Sequence, residues 1–373
     1  MHERRCRPPN SQAAMPTQLP VRNLDLLRAV AVTCVIGDHV TQLFSNHVGP
    51  VLTVSELGRV GVLMFFVHTA LVLMASLERQ DQGTRWIQVF YARRAFRIYP
   101  LAIVAILGYL AFHVPSSVRS LAQPTTFQPI STLALLQNVA LVQNLFGTPL
   151  PINVLWSLPL EVQMYVALPL CFLLARRRPA YVVALMVGGA SAWWIGHTLQ
   201  PVGVWRLTIL NYVPCFLAGV LAYAVARHGK IRLALPAWCW PLILLGTLVL
   251  AGRAHPGDGN PPLNWLVCVV LGLAIPLVRD GAANWFARGT RIVCEYSYGI
   301  YLTHVAALWF AFVVCHDVPL AGRLGIFVAV AALLAFVSYH AIEQPGIAAG
   351  KHVAKWLVRD RAETVAPVPD SAL

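Results

Sequence analysis

The 373-residue chain is 58% hydrophobic and only 12% charged, with a mean hydropathy of +0.64, whereas a soluble chain carries about 25% charged residues. This excludes a soluble globular protein, because most of the apolar surface must face lipid. The formal net charge of +13 would suit a nucleic-acid binder, but its placement along the chain argues against nucleic acid as the partner.

Windows of about 20 apolar residues predict an all-α polytopic membrane bundle of about ten transmembrane helices. They fall at 24–45, 57–77, 94–113, 155–175, 180–199, 208–226, 236–252, 263–278, 292–315 and 322–342. With the N-terminus inside, 23 of the 28 Lys and Arg residues lie on cytoplasmic segments or span ends, and only Arg59, Arg119, Arg206, Arg253 and Arg323 lie outside. By the positive-inside rule both termini are then cytoplasmic and the basicity is topological. The expected organisation is a disordered cytoplasmic tail at 1–22, a transmembrane domain at 23–346 and a cytoplasmic tail at 347–373, disordered from 358. The longest outer connection is 114–154. Its stretch 131–146 is apolar and helical in period but carries Gln137, Asn138, Gln143 and Asn144, which suits an interfacial or re-entrant helix better than a further span. The eight cysteines form no C-x-x-C pair and mostly sit in apolar runs, as small buried residues do.

The first helix carries Asp25, Arg28, Asp38 and His39. An ionisable group inside a span is costly and marks a functional candidate. Eleven steps along an α-helix make three turns plus about 20° and rise about 16 Å, so Arg28 and His39 leave the same face at different depths. Either both serve structure, as anchor and interior hydrogen-bonder, or His39 is a general base.

Leu24-Asp25-Leu26-Leu27-Arg28 followed by His39 resembles the opening of the acyltransferase family 3 membrane proteins, in which a basic residue precedes a histidine by ten spacers. Five further stretches match in order: Gly61–Val67, Arg93-Arg94-Ala95-Phe96-Arg97, Leu155-Trp156-Ser157-Leu158 with Glu161, Gln163 and Tyr165, Ser297–His304, and Tyr339–Pro345. The resemblance thus runs from 24 to 345. It implies transfer of an acyl group, by default acetyl, from cytoplasmic acyl-CoA as co-substrate to a hydroxyl of a cell-surface carbohydrate or lipid-linked glycan. The setting would be the bacterial cytoplasmic (inner) membrane, with no metal required.

The residues can be fitted to that chemistry. Arg93, Arg94 and Arg97 suit bidentate contacts to the donor phosphates, or act as ordinary positive-inside anchors. His39 suits the base, or an acyl carrier in a ping-pong route, and Arg28 assists at the donor end. Glu161, expected at the depth of His39, orients it, binds acceptor hydroxyls or is structural. Trp156 stacks on a sugar or sits in the interfacial aromatic belt. Tyr165 and His304 are further substrate contacts, with His304 polarising the thioester or packing, and Glu343 balances the arginine cluster. His68 and Asp38 depart from the family's usual apolar or small residues at their positions, which suggests a distinct acceptor. A competing reading is a proton-coupled transporter using Asp38, His39, His68 and His304 as a relay. A weaker one is a histidine metal site, for which the spacing gives no signature.

Overall fold

The computed structural model describes residues 19–44, 57–80, 85–116, 118, 130–199, 208–228, 235–252 and 260–364. Tail residues 1–18 and 365–373, and the expected outer arginines Arg119, Arg206 and Arg253, lie outside this set. The described residues form helices and no strand, apart from a single bridge between Leu235 and Val278. In chain order the helices are α1 (Val21–Phe44), α2 (Leu57–Gln80), α3 (Trp86–Ala111), α4 (Thr132–Val139), α5 (Gln143–Phe146), α6 (Ser157–Arg177), α7 (Pro179–Leu199), α8 (Val213–His228), α9 (Cys239–Gly252), α10 (Pro261–Ala274), α11 (Trp285–Trp309), α12 (Leu320–Val337) and α13 (Gln344–Thr364).

Each apolar run read from the sequence is largely helical, yet among the described residues six helical stretches are long and apolar enough to cross a membrane: α2, α3, Asn153–Arg177, α7, Trp285–Val314 and Leu320–Val358. Three shorter apolar helices, α8, α9 and α10, accompany them, so the expected count of about ten full-length spans is not reached among the described residues. Two causes account for the difference. α8, α9 and α10 have 14 to 16 residues and rise only about 21–24 Å, short of the roughly 30 Å hydrocarbon core; α1 has 24 residues, but Arg28, Asp38, His39 and Gln42 interrupt its apolar run.

α2 is apolar nearly all round and lies in the centre of the bundle, touching α1, α8, α10, α6 and α9. Helices that are hydrophobic on every side belong in such a position. Lipid tails are as apolar as the helices, so close packing of small residues holds a membrane bundle together. Gly61 of α2 meets the Ala31 carbonyl of α1, and Gly219 of α8 meets the Val67 carbonyl of α2. Gly272 of α10 would place a Cβ 2.6 Å from the Ala218 carbonyl oxygen of α8. α7 and α12, by contrast, bury very little of themselves and form the lipid-facing rim. The start of α1 is pinned to the segment before α11: the Asn23 N–H donates to Asp280 Oδ1 at 3.0 Å, its amide donates to the Arg279 carbonyl at 3.0 Å, and Trp240 Nε1 donates to its carbonyl at 3.0 Å.

The 131–146 stretch is not a span. It breaks into α4 and α5 around Leu141, which has a φ of 56°, and Gly147 closes α5 at a φ of 67°. Tyr99, deep in α3, donates to the Ala140 carbonyl at 3.2 Å, and Gln163 of α6 donates to Asn144 Oδ1 at 2.9 Å. Leu141 is fully buried. Leu141 and the Gln163–Asn144 contact thus tie the break to the helix bundle through protein contacts, which both the interfacial and the re-entrant readings allow.

The C-terminal segment also departs from the expected tail, because the chain stays helical through Thr364. A π-turn over Ser338–Glu343 comes just before Pro345, where the backbone lacks a donor. Beyond it, Gly346, Gly350 and Ala354 lay α13 directly against α3.

Candidate active site

Arg28 and His39 of the first helix both hydrogen-bond to α11. Arg28 Nε donates to Ser297 Oγ at 2.6 Å, and that hydroxyl donates onward to the Cys294 carbonyl at 2.7 Å. The guanidinium also sits 5.8 Å from the centre of the Phe65 ring, within cation–π range. Farther along the same faces, His39 Nδ1 and His304 Nε2 are 2.6 Å apart. Ser297 and His304 are seven residues apart, close to two turns, so they share one face of α11 as Arg28 and His39 share one face of α1. The predicted common face is thus present, and a matching face on the partner helix reads both residues.

The imidazole pair fixes its own tautomers. The ring centroids are 4.9 Å apart and the ring planes differ by 15°. With the facing nitrogens at 2.6 Å, the rings lie edge to edge near a common plane and are joined by an in-line hydrogen bond. His304 Nδ1 is 3.1 Å from the Ile300 carbonyl oxygen. A carbonyl only accepts, so His304 Nδ1 carries the proton and its Nε2 accepts. His39 Nδ1 then donates to His304, which leaves the lone pair on His39 Nε2. His304 is fully buried, whereas His39 is partly exposed.

Below this pair is a narrow cavity of about 90 Å³, walled by Arg28, Arg94, Arg97, Glu161, Ser297 and Tyr301 among others. A second cavity of about 430 Å³ opens at the basic end of the bundle and is lined by Arg93, Arg94, Arg97, Lys351 and Lys355, with Ser76, Gln80 and Ile347. Arg94 and Arg97 belong to both walls, so the two cavities adjoin at the arginine motif. Arg97 forms an ion pair with the fully buried Glu343 at 3.2 Å, the balancing contact expected from sequence. Neither imidazole is in the wall of the narrow cavity. Tyr301 is, and His304 follows it by one turn.

Other residues singled out in the sequence fall differently. Glu161 does not reach His39 but lines the narrow cavity with Arg28, and it accepts a hydrogen bond from Tyr165 Oη at 2.8 Å. It falls there because α6 begins inside the bundle: residues 152, 154 and 155 are buried, and a 3₁₀ turn at Asn153–Trp156 leads into Ser157. Orientation of His39 therefore falls to His304. Trp156 packs between Phe66 and Tyr212, at ring distances of 6.5 and 5.5 Å, in an internal aromatic cluster. Asp38 accepts from Gln42 at 2.8 Å and abuts Gly58. His68 is buried, with no hydrogen-bond partner at Nδ1 among the described residues. Sequence reading gave no role to Ser297 or Tyr301, although the spacing 297, 301, 304 on one helix face was visible in it. It also missed Lys351 and Lys355, whose i,i+4 spacing was the available signal. Among the described residues no three His, Cys, Asp or Glu side chains converge.

A family model described as an acyltransferase domain, that of acyltransferase family 3, matches residues 21–341. The chain belongs to this family. The acyltransferase is similar to the acyltransferase MdmB of Streptomyces mycarofaciens, at 30% identity over 326 residues covering 78% of this chain and 79% of that one. It is similar to the peptidoglycan O-acetyltransferase OatA of Listeria monocytogenes, at 30% identity over 179 residues covering 45% of this chain and 27% of the relative. It is also similar to the putative peptidoglycan O-acetyltransferase YrhL of Bacillus subtilis, at 26% identity over 360 residues covering 87% of this chain and 54% of the relative. The chain thus spans about a quarter and about half of the length of the two peptidoglycan enzymes. No solved structure matches it. With its membrane-crossing helices and this family, the chain is a multi-pass membrane acyltransferase, and none of these relatives is named as a carrier.

Proposed function

We propose that this acyltransferase moves an acyl group, by default acetyl, from acyl-CoA on the cytoplasmic side of the bacterial inner membrane to a hydroxyl of a cell-surface carbohydrate or lipid-linked glycan. The observation that carries this reading is that the two cavities adjoin at Arg94 and Arg97. Phosphates of a cytoplasmic donor suit the wide basic cavity, and the thin acyl-bearing arm suits the narrow one, whose wall includes Arg28 of α1 and Tyr301, one turn before His304 on α11. With both termini inside, the basic end faces the cytoplasm.

In this reading His39 Nε2 removes the proton of the acceptor hydroxyl while His304 holds the imidazole by Nδ1. The acceptor oxygen bonds to the thioester carbonyl carbon, the carbon–sulfur bond breaks, and the proton passes to the departing thiolate. A covalent acyl-His39 would use the same nitrogen; acid-quench trapping of labelled protein distinguishes the two routes. Arg28, held by Ser297, presents a cation along the arm's path, and Glu161 and Tyr165 present acceptor and donor groups opposite it. The O-acetyltransferase names of two relatives support a hydroxyl acceptor.

The test is the ester content of surface glycans, read by mass spectrometry in a deletion strain. Wild-type protein is expected to restore the ester, and Arg94→Gln at equal protein level is expected to leave less than about a tenth of it, the cost of one charged contact. Full restoration by Arg94→Gln would remove the junction of the two cavities from the donor path.

A further inference from the structure

α13 carries two stripes side by side. Gly346, Gly350 and Ala354 recur every four residues and face α3: a Cβ on Gly346 would lie 2.6 Å from the Phe96 carbonyl oxygen, and one on Gly350 would lie 2.9 Å from Phe96 Cβ. Ile347, Lys351 and Lys355 stand one position along from these. The close approach of the first stripe therefore delivers the second to the wide cavity, opposite the arginine motif. Among the described residues five cations line that cavity and no carboxylate does. Glu343 neutralises Arg97 from behind. Two buried polar atoms of the lining side chains, Arg93 Nε and Gln80 Oε1, have no hydrogen-bond partner among the described residues. Clustered like charges with unsatisfied polar atoms form a site completed by a polyanion, and the cavity's volume is in the range of small-molecule sites. The family match ends at residue 341, so α13 lies beyond it.

We propose that Lys351 and Lys355 form a phosphate subsite, which takes the phosphate-bearing nucleotide end of the donor while Arg94 and Arg97 direct the remainder into the narrow cavity. The assignment to the donor rests on the acyl-CoA reading above. Phosphate esters at a membrane surface also come from anionic lipid headgroups, so the experiment separates the two sources.

The full chain is purified into phosphatidylcholine nanodiscs and titrated with adenosine 3′,5′-bisphosphate. The double variant Lys351→Gln/Lys355→Gln is expected to bind it roughly tenfold more weakly. Lys351→Arg/Lys355→Arg keeps both charges and stays within about threefold of wild type. Arg177→Gln, an exposed cation of α6 outside both cavities, is expected to be without effect. In transfer assays the glutamine pair is expected to raise KM for acetyl-CoA by the same factor at constant kcat, and to leave acetyl-pantetheine, which has no phosphate, unaffected. Equal nucleotide binding by wild type and the glutamine pair would overturn the subsite. So would lysine-dependent retention of phosphatidylglycerol, read by native mass spectrometry, with no nucleotide binding. Lysine-dependent nucleotide binding without any acetyl transfer from acetyl-CoA would uphold the subsite and overturn the acyl-CoA reading instead.

Discussion

His39→Ala is expected to lower acyl transfer about 10³-fold, the contribution typical of a positioned general base, with the yield of folded protein measured alongside. The yield matters because alanine also leaves the buried His304 Nε2 without its donor, a cost of about 1–3 kcal/mol. His39→Gln keeps an amide N–H for His304 and should match alanine in activity while sparing stability. The His304 variants separate base from support. In the structure His304 touches His39 through one hydrogen bond of 2.6 Å and donates its own N–H to the Ile300 carbonyl. His304→Gln can still accept from His39 Nδ1 and is expected to retain more activity than His304→Ala, with a pH profile near that of wild type. Equal loss in both His304 variants would mean that the second imidazole does more than hold the first. Full activity in His39→Gln would remove His39 from the chemistry.

The largest effect on stability is expected at Gly219→Val. α8 crosses α2 here so closely that even one added carbon overlaps the Val67 carbonyl and comes within 2.8 Å of Ala70 Cβ. Both helices lie in the centre of the bundle, and neither can shift without moving its other neighbours. Overpacking of this kind costs about 1–3 kcal/mol for small intrusions, and valine intrudes further than alanine. The expected result is a lower midpoint of thermal unfolding in detergent for Gly219→Ala and loss of monodisperse protein for Gly219→Val. Gly246→Ala in α9 is the matched control: no atom lies within 4 Å of its added Cβ, so removing a flexible glycine from a helix is neutral or stabilising by about 0.5–1 kcal/mol. Similar midpoints for Gly219→Ala and Gly246→Ala would contradict the close α2–α8 crossing.

Much of the fold was legible because lipid-facing helices announce themselves by composition. The positions of the apolar runs followed directly, and the common face of Arg28 and His39 followed from helical spacing alone. The number of full-length spans did not follow, since a window of apolar residues in α8, α9 or α10 reads much the same whether the helix is short or crosses the whole bilayer. Glu161 was placed beside His39 because sequence does not reveal that Val154 and Leu155 of the turn before α6 are buried and start α6 inside the bundle. The pairing of His39 with His304 links residues 265 apart, and such contacts depend on which helices become neighbours. α13 was read as a tail because its exposed side is polar. The Gly346, Gly350 and Ala354 stripe that packs it on α3 was present in the sequence, but without a partner helix it looked like low hydrophobicity.

The proposed transfer is directional: a donor enters from the basic end, and its acyl group leaves toward the imidazole pair. That polarity is measured by sided transfer in sealed membrane vesicles carrying the native acceptor, with labelled acetyl-CoA, which does not cross the bilayer, supplied outside. Inside-out vesicles, which expose the cytoplasmic face, are expected to incorporate label into ester at full rate, and right-side-out vesicles are expected to incorporate none until permeabilised. Equal labelling by both orientations before permeabilisation would contradict a donor site on the cytoplasmic side.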